Sequence, residues 1–400
     1  VEPCNGMGMR LSWIKIAWRN LASKQLSTAL SIALLAFGVG MVSLMMLAEH
    51  QLRDAFDRNI KDIDMVLGAK GSPLQLILAN VYHVDAPTGN IRLADAEKVM
   101  RHPYVAEAIP LAYGDNFQRY RIVGTEPSYV EHYGAELAEG RLWETPFEVV
   151  VGARVAREAG LKLGDTFFSS HGLLDETDVH TDKTFTVVGV LEESRSVLDQ
   201  LLLCNVQTVW GVHEHEGEEV EPEVTAVLLK KRNPLAVLTL PNLISDTNMQ
   251  IALPAIEVNR LTQNFGLGLG TLRTIALLIM ALSFASIFIS VYDSLLARRY
   301  ELALMRTMGS TARGLYGSLL LEGGLLSLGG VVLGAVVSRV GIALLATLVE
   351  DKFRYDLNAL AILPSEWLLA AAAIAVGLLA AAIPGLRALR LDISRTLSDA

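Results

Sequence analysis

The sequence lacks most of the patterns by which an enzyme is recognised. Its 400 residues include only two cysteines, which indicates no disulfide framework. It has no Gly-Lys dipeptide, and therefore no Walker A loop for binding ATP. The HExxH pattern of metalloproteases and the GxSxG pattern of serine hydrolases are absent as well. No small-residue cleavage site follows the first apolar run, so we expect that run to remain in the protein.

The composition predicts membrane spans together with a folded soluble part. Hydrophobic residues make up 52% of the chain and charged residues 19%, and the mean hydropathy is +0.37. This is too apolar for an ordinary soluble protein and too charged for one that lies wholly in the membrane. Four apolar runs are long enough to cross a bilayer, which takes about 20 helical residues. These runs are residues 26–47, 275–291, 315–349 and 367–383.

The distribution of basic residues predicts the orientation of these spans. Loops on the cytoplasmic side of a membrane carry an excess of lysine and arginine. Residues 10–24, 298–314 and 387–400 are basic, whereas residues 350–366 are acidic. We therefore expect both termini and residues 298–314 in the cytoplasm, and the segment between the first two spans outside. The two cysteines, Cys4 and Cys204, then fall on opposite sides of the membrane and cannot pair.

Residues 49–268 are predicted to form one large α+β domain outside the membrane. Their 33 acidic and 19 basic residues give a net charge of −14, which argues against a nucleic-acid partner. Short alternating apolar runs predict strands, and residues 93–101 and 153–159 predict helices. The helical period of the adjacent spans continues into both ends of this segment, so we expect stalk helices there.

The stretch between the second and third apolar runs predicts a short basic amphipathic helix. Residues 298–314 have the sequence RRYELALMRTMGSTARG, in which four arginines face one acid. The apolar residues at helical spacing are Leu302, Met305 and Met308, with Leu304 beside them. We expect Gly309 to end the helix and Ser310 to cap the next one. Such a helix would serve as a handle for a cytoplasmic partner.

A second amphipathic helix is predicted at residues 10–25, where it would lie in the inner membrane interface. The alternative is that it is simply the start of the first span. Its apolar side is predicted to carry Trp13, Ile14, Ala17, Trp18 and Leu21, and its polar side Lys15, Arg19 and Asn20.

The third apolar run contains both a packing motif and two charges. Gly330 and Gly334 form a GxxxG pattern, which permits close contact between membrane helices. Glu322 and Arg339 are ionisable residues within the run, and such residues are functional candidates by default. For Arg339 we favour a position near the interface, whereas for Glu322 the interfacial and the functional interpretation stay equally open.

All eight histidines lie in the outer segment, and some stand among acidic residues. Histidine and carboxylate side chains bind zinc and copper, so a metal site is conceivable. The candidate ligands are His171, His180, His213 and His215. Their spacing matches no structural zinc pattern, and we favour solvated acidic loops over a metal site.

The turn at residues 298–314, followed by an apolar span with an early glutamate and many glycines, resembles MacB/FtsX-like ABC transporter permeases. The order of VAEAIP, YRIVGTEPSYVE, AEGRLW, VVVGARVAREAGLKLGD and FTVVGVL resembles the outer domain of MacB-type permeases. The resemblance implies a coupling helix that docks on a separate ATPase. The coupling residues that it implies are Arg299, Glu301, Leu304, Met305, Arg306 and Gly309.

Together these patterns predict a bacterial inner-membrane permease subunit with four spans. The predicted parts are an interfacial helix at 10–25, spans at 26–48, 269–297, 315–349 and 367–386, an outer domain at 49–268, a coupling helix at 298–314, an outer loop at 350–366 and a tail at 387–400. The resemblance implies an ABC ATPase dimer that binds ATP and Mg²⁺, a second permease copy or a similar chain, contact with membrane lipid, and possible adaptor or lipoprotein partners. The implied function is efflux or lipoprotein release; the alternatives are an FtsX-like regulator of outer enzymes and a membrane-anchored metal-binding protein.

Overall fold

The chain divides into two compact units. A computed structural model describes residues 6–170, 179–213, 221–353 and 358–389. The membrane unit comprises Val1–Leu52 and Phe265–Ala400, and the outer unit comprises Arg53–Asn264. We describe each unit by itself.

The described residues form helices and strands in both units. The helices are α1 Gly6–Ser23, α2 Gln25–Ile60, α3 Pro73–Asn80, α4 Leu93–Met100, α5 Ser128–Tyr133, α6 Ala153–Ala159, α7 Val206–His213, α8 Ala236–Leu243, α9 Pro254–Ala297, α10 Arg299–Thr307, α11 Ala312–Phe353 and α12 Pro364–Leu389. The strands are β1 Met65–Ala69, β2 Ile91–Arg92, β3 Val105–Phe117, β4 Tyr120–Thr125, β5 Leu137–Gly140, β6 Glu148–Val151, β7 Thr166–Ser170, β8 Val179–Leu191, β9 Leu201–Asn205, β10 Glu223–Val224, β11 Ala226–Lys231 and β12 Met249–Ala252.

Four helices of the membrane unit are long and apolar enough to cross a bilayer. They are Gln25–Ile60, Gly270–Ala297, Ala312–Thr347 and Pro364–Leu386. The first, in α2, is the most enclosed, since 56% of its most apolar stretch is buried against 22–28% for the others. Hydroxyl pairs join α2 to α9: Ser27 Oγ donates to Ser290 Oγ over 3.2 Å, and the hydroxyls of Ser31 and Ser286 lie 2.9 Å apart. Such polar contacts help membrane helices to associate, because lipid supplies no hydrophobic force between them.

Two details of the membrane unit differ from the sequence-based expectation. Asn20 was expected on the polar side of α1, yet it is buried, while Trp18 is 66% exposed. The reason is that α1 packs on α11, and the face toward α11 carries Asn20 beside Ala17. Glu366 was expected in the outer loop, but it lies in the first turn of α12, because Pro364 is the first residue of that helix, a position that proline favours.

The outer unit is built on a ten-stranded mixed sheet, which gives an α+β fold. The strand order is β12-β1-β11-β3-β4-β9-β6-β8-β5, and β7 pairs with β3 and β8. Most neighbours are antiparallel, but β4 pairs with β9 and β6 pairs with β8 in parallel. One apolar core lies between α4, α8 and the end of the sheet at β1, and a second lies beneath α6 and α7. Two cores on one sheet explain why this unit needs about 200 residues.

A buried histidine lies in the loop after α3. His83 Nδ1 and Tyr113 Oη are 2.9 Å apart, and His83 Nε2 and Tyr129 Oη are 2.9 Å apart. Tyr113 Oη donates to the Ala79 carbonyl, so it accepts from His83 Nδ1–H. Burial and then repulsion from the Arg121 guanidinium hold the pKa of His83 well below 6.5.

The outer unit should lose stability around His83 as the pH falls. The unfolded chain takes up a proton near pH 6.5, whereas the folded ring resists it, so the stabilisation is complete above that pH and declines below it. Hydrogen exchange of residues 76–92 in the full chain, corrected for intrinsic rates, should accelerate between about pH 7.5 and about pH 5.5. His83→Gln should flatten this dependence, and an unchanged dependence in that variant would show that another group is responsible.

Candidate functional site

The helix α10 forms the turn between α9 and α11. Arg298 precedes it in a non-helical conformation, and the helix ends before Gly309, whose φ of 97° suits glycine. The Ser310 amide donates to the Met305 carbonyl over 3.0 Å. Thr311, and not Ser310 as expected, caps α11, because its Oγ1 accepts from the Gly314 amide over 3.1 Å.

The apolar residues of α10 are divided between two faces. Leu302 is buried and Met305 packs beside it in the core of the membrane unit. Tyr300, Leu304 and Met308, four residues apart along the helix, are 48%, 45% and 74% exposed. Leu304 and Met305, two adjacent coupling residues that the resemblance implies, thus lie on different faces, since residues one apart lie about 100° apart around a helix.

The other predicted coupling residues lie around this exposed face. Arg299 and Glu301 are exposed and Arg306 is half-buried. Glu301 Oε2 lies 3.6 Å from Arg298 Nε. The exposed surface of α10 is therefore an apolar stripe of Tyr300, Leu304 and Met308 with charged groups beside it, which we call the docking stripe.

A buried polar cluster ties the start of α10 to three other helices. Glu322 of α11 is 1% exposed. Its Oε1 accepts from Asn20 Nδ2 of α1 and its Oε2 accepts from Ser294 Oγ of α9 over 3.2 Å. Arg298 Nη1 lies 3.7 Å from Glu322 Oε1, and Arg298 Nη2 donates to Asn20 Oδ1. We call these four residues the Glu322 node.

Two small cavities flank the Glu322 node. One, of about 20 Å³, lies among α1, α10 and α11, and the other, of about 10 Å³, lies among α1, α2 and α9. Each has room for roughly one water molecule next to polar groups. The node is thus polar and loosely packed, in contrast to the close contact between α2 and α11.

That close contact is made by glycines. A Cβ at Gly330 would lie 2.6 Å from Leu35 of α2, and a Cβ at Gly334 would lie 3.0 Å from the Ala36 carbonyl oxygen and 3.1 Å from the Gly40 nitrogen. The Gly330 and Gly334 pair therefore lies where the two backbones approach each other.

Adding one methyl group at Gly334 should destabilise the membrane unit. The contacting atoms belong to backbone, so α2 and α11 must separate, at a cost of about 1–3 kcal/mol. Gly334→Ala should lower the midpoint of thermal unfolding in detergent. Gly317→Ala is the matched control, because no described atom lies within 4 Å of a Cβ there and alanine favours a helix. Equal midpoints for the two variants would contradict this role of Gly334.

A second polar cluster lies toward the other end of α11. Arg339, for which the sequence favours a position near the interface, pairs with Glu366 of α12 through two bonds of 2.7 and 2.8 Å. The Ser43 hydroxyl of α2 donates to Glu366 and lies 2.9 Å from the Ser338 hydroxyl. We call Ser43, Arg339 and Glu366 the outer clamp. The sequence alone did not reveal it, because its members are far apart in the chain.

The side chains of all four candidate metal ligands lie outside the described part of the chain. His171 and His215 lie outside the described residues, and the side chains of His180 and His213 lie outside them too. Within the described part of the chain, there is no group of three or more His, Cys, Asp or Glu residues arranged for a metal ion.

Sequence reasoning missed three of the four members of the Glu322 node. The available signal was the spacing of serines in α9 at 283, 286, 290 and 294, which places polar groups along one side of an apolar helix. Arg298 was grouped with the other arginines of the turn, although it precedes the helix.

Four spans, an α+β segment between the first two, and an amphipathic helix between the second and third define a permease-type membrane protein. Residues 28–237 match the MacB-like periplasmic core domain, and residues 273–393 match the FtsX-like permease C-terminal domain. The first match covers more than half of the chain. The chain therefore belongs to the MacB/FtsX-like ABC transporter permeases and is a multi-pass protein of the bacterial inner membrane. Membership implies association with an ABC ATPase and oligomerisation.

Two isolated domains are among the solved structures that the comparison found. The periplasmic region of MacB from Actinobacillus actinomycetemcomitans is 16% identical with a TM-score of 0.37, over 52% of this chain and 96% of that one. The extracellular domain of the noncanonic ABC-type transporter YknZ from Gram-positive bacteria is 12% identical with a TM-score of 0.30, over 47% and 98%. The comparison with curated proteins gave no match.

Proposed function

We propose that this chain couples ATP hydrolysis by a separate ABC ATPase to movement of its outer unit, for export or extraction of a substrate such as a drug, a lipid or a lipoprotein. The observation that carries the proposal is the division of α10 into two apolar faces. Its inner face holds Leu302 and Met305 in the membrane unit, and its outer face presents the docking stripe. A helix that presents three apolar side chains, each four residues from the next, on one face can dock into an apolar groove on a partner protein.

The charge distribution and the absence of an ATP-binding motif support the same assignment of roles, in which the ATPase hydrolyses ATP and the permease moves. The chain has no Walker A loop, so ATP and Mg²⁺ bind to the partner ATPase, which acts as a dimer beneath two permease copies. The arginines beside the docking stripe orient the partner more than they hold it. With α10 on the cytoplasmic side, both termini are cytoplasmic and the outer unit faces the periplasm, where an adaptor or a lipoprotein would meet it.

The test is ATP hydrolysis by the reconstituted pair. The permease in lipid nanodiscs, mixed with a candidate ABC ATPase from the same organism, should raise ATP turnover several-fold over the ATPase alone, and the permease alone should hydrolyse none. Movement of a lipoprotein or drug out of the membrane would support transport. Activation of an outer enzyme without such movement would support the FtsX-like regulator instead. An ATPase that neither binds nor responds would contradict both.

Cysteine labelling should establish the orientation. In a chain whose Cys4 is replaced by serine, a membrane-impermeant maleimide should label a cysteine at Lys162 from outside, and one at Thr311 only after the membrane is opened. The native Cys204 should stay unlabelled, because burial raises the pKa of its thiol to about 12. Reversed labelling of the two sites would overturn the topology.

A further inference from the structure

Arg298 lies at the junction of α9 and α10, between two carboxylates. Its Nε is 3.6 Å from Glu301 Oε2 and its Nη1 is 3.7 Å from Glu322 Oε1. The Glu301 side chain is 62% exposed, whereas that of Glu322 is 2% exposed. The arginine is therefore shared between an acid on α10 itself and an acid inside the membrane unit.

Burying the Glu322 carboxylate in an apolar helix bundle costs free energy unless hydrogen bonds and an opposite charge compensate for the lost hydration. Asn20 and Ser294 supply hydrogen bonds, and Arg298 supplies the opposite charge. Neither distance from Arg298 is as short as the direct charge-assisted bonds of about 2.7–2.9 Å. With a water-sized cavity alongside, the guanidinium has room to shift without breaking the packing of the bundle.

The contacts of the Glu322 node join three helices to the start of α10. Asn20 comes from α1 and Glu322 from α11, and both contact Arg298. Ser294 comes from α9 and contacts Glu322. Movement of the docked α10 therefore displaces Arg298, which contacts α1 and α11 directly and reaches α9 through Glu322. The size of the displacement that is transmitted depends on the pairing of Arg298 with Glu322.

We propose that Glu322 and Asn20 are positioning residues which hold Arg298 and thereby transmit movement of α10 to α1 and α11. This inference rests on the proposed function. The docking stripe determines whether the ATPase binds, and the Glu322 node determines whether binding becomes useful movement. The two roles are separable because Tyr300, Leu304 and Met308 are exposed, whereas Asn20, Ser294 and Glu322 are buried.

The test separates affinity from turnover in the permease–ATPase complex. Glu322→Gln removes the charge and keeps the shape, and Arg298→Gln removes its partner. Each single variant should bind the ATPase within about threefold of the wild-type affinity and should lower permease-stimulated ATP turnover at saturation about tenfold. The double variant should lose no more than either single variant, because all three lack the same pairing. Asp293→Asn, an exposed carboxylate one residue from Ser294, should behave as wild type.

Three results would overturn the inference. Wild-type stimulation by Glu322→Gln would show that its charge is not used. Losses that add in the double variant, and that follow the unfolding temperature of each protein, would show a purely structural role. If the wild-type chain neither binds nor stimulates the ATPase, the proposed function is contradicted as well. If the wild-type chain stimulates normally and the variants do too, only the inference is contradicted.

Discussion

Leu304→Asp combined with Met308→Asp should abolish co-purification of the ATPase and stimulation of ATP hydrolysis. Both side chains project from the outer face of α10 and are 45% and 74% exposed. Apolar anchors in a helix-in-groove contact often contribute about 2 kcal/mol or more each, so two charges in their place leave no measurable binding. Arg306→Ala should weaken coupling only modestly, because charged groups at the rim steer more than they hold.

The matched control for this variant places the same two acids elsewhere. Leu360 and Ile362 are 83% and 64% exposed and lie between α11 and α12, at the opposite end of the spans from α10. Leu360→Asp with Ile362→Asp should keep wild-type binding and stimulation. The docking variant should still insert and unfold at the wild-type temperature. Full ATPase binding by it would show that the docking stripe is an ordinary surface.

Arg339→Met should produce the largest loss of stability among changes to the membrane unit. It leaves Glu366 without its bidentate partner in a partly buried position, where side-chain exposure is only 12%. Breaking one half of such a pair costs about 3 kcal/mol or more, because an uncompensated charge remains. Thermal unfolding of the full chain in nanodiscs measures the loss. The double variant Arg339→Met, Glu366→Gln should regain most of it.

This double variant separates the electrostatic contribution of the outer clamp to stability from the contribution of packing by the arginine side chain. Recovery would show that the single variant suffers from an unpaired carboxylate and not from lost packing by the arginine stem. A double variant as unstable as the single one would contradict the electrostatic explanation. Ser338→Ala, which removes only a neighbouring hydroxyl, should cost about 1 kcal/mol or less.

Much of the membrane unit is predictable from the sequence because hydropathy depends on composition over short windows. The apolar runs at residues 26–47, 275–291 and 367–383 each lie within a described helix, and α10 lies within residues 298–314. In the outer unit, the helix expected at residues 153–159 is α6. These elements are defined by local periodicity.

The functional contacts were not predictable in the same way, because they join distant positions. Asn20 and Glu322 are 302 positions apart, and a helical pattern gave no reason to place an asparagine on the inner side of α1. The parallel pairing of β4 with β9 also joins distant positions, since Arg121 lies opposite Leu201. In α10 itself the pattern identified the apolar residues, but it did not decide which of them pack inward.

Site-specific photo-crosslinking tests the central claim most directly. A benzoylphenylalanine at Leu304 and one at Met305 differ by a single position, yet they should report opposite faces of α10. We expect the probe at Leu304 to crosslink to the ATPase in the assembled complex, and the probe at Met305 to crosslink only within the permease chain. Equal crosslinking to the ATPase from both positions, or none from Leu304 in a complex that hydrolyses ATP, would contradict the assignment of α10 as the docking helix.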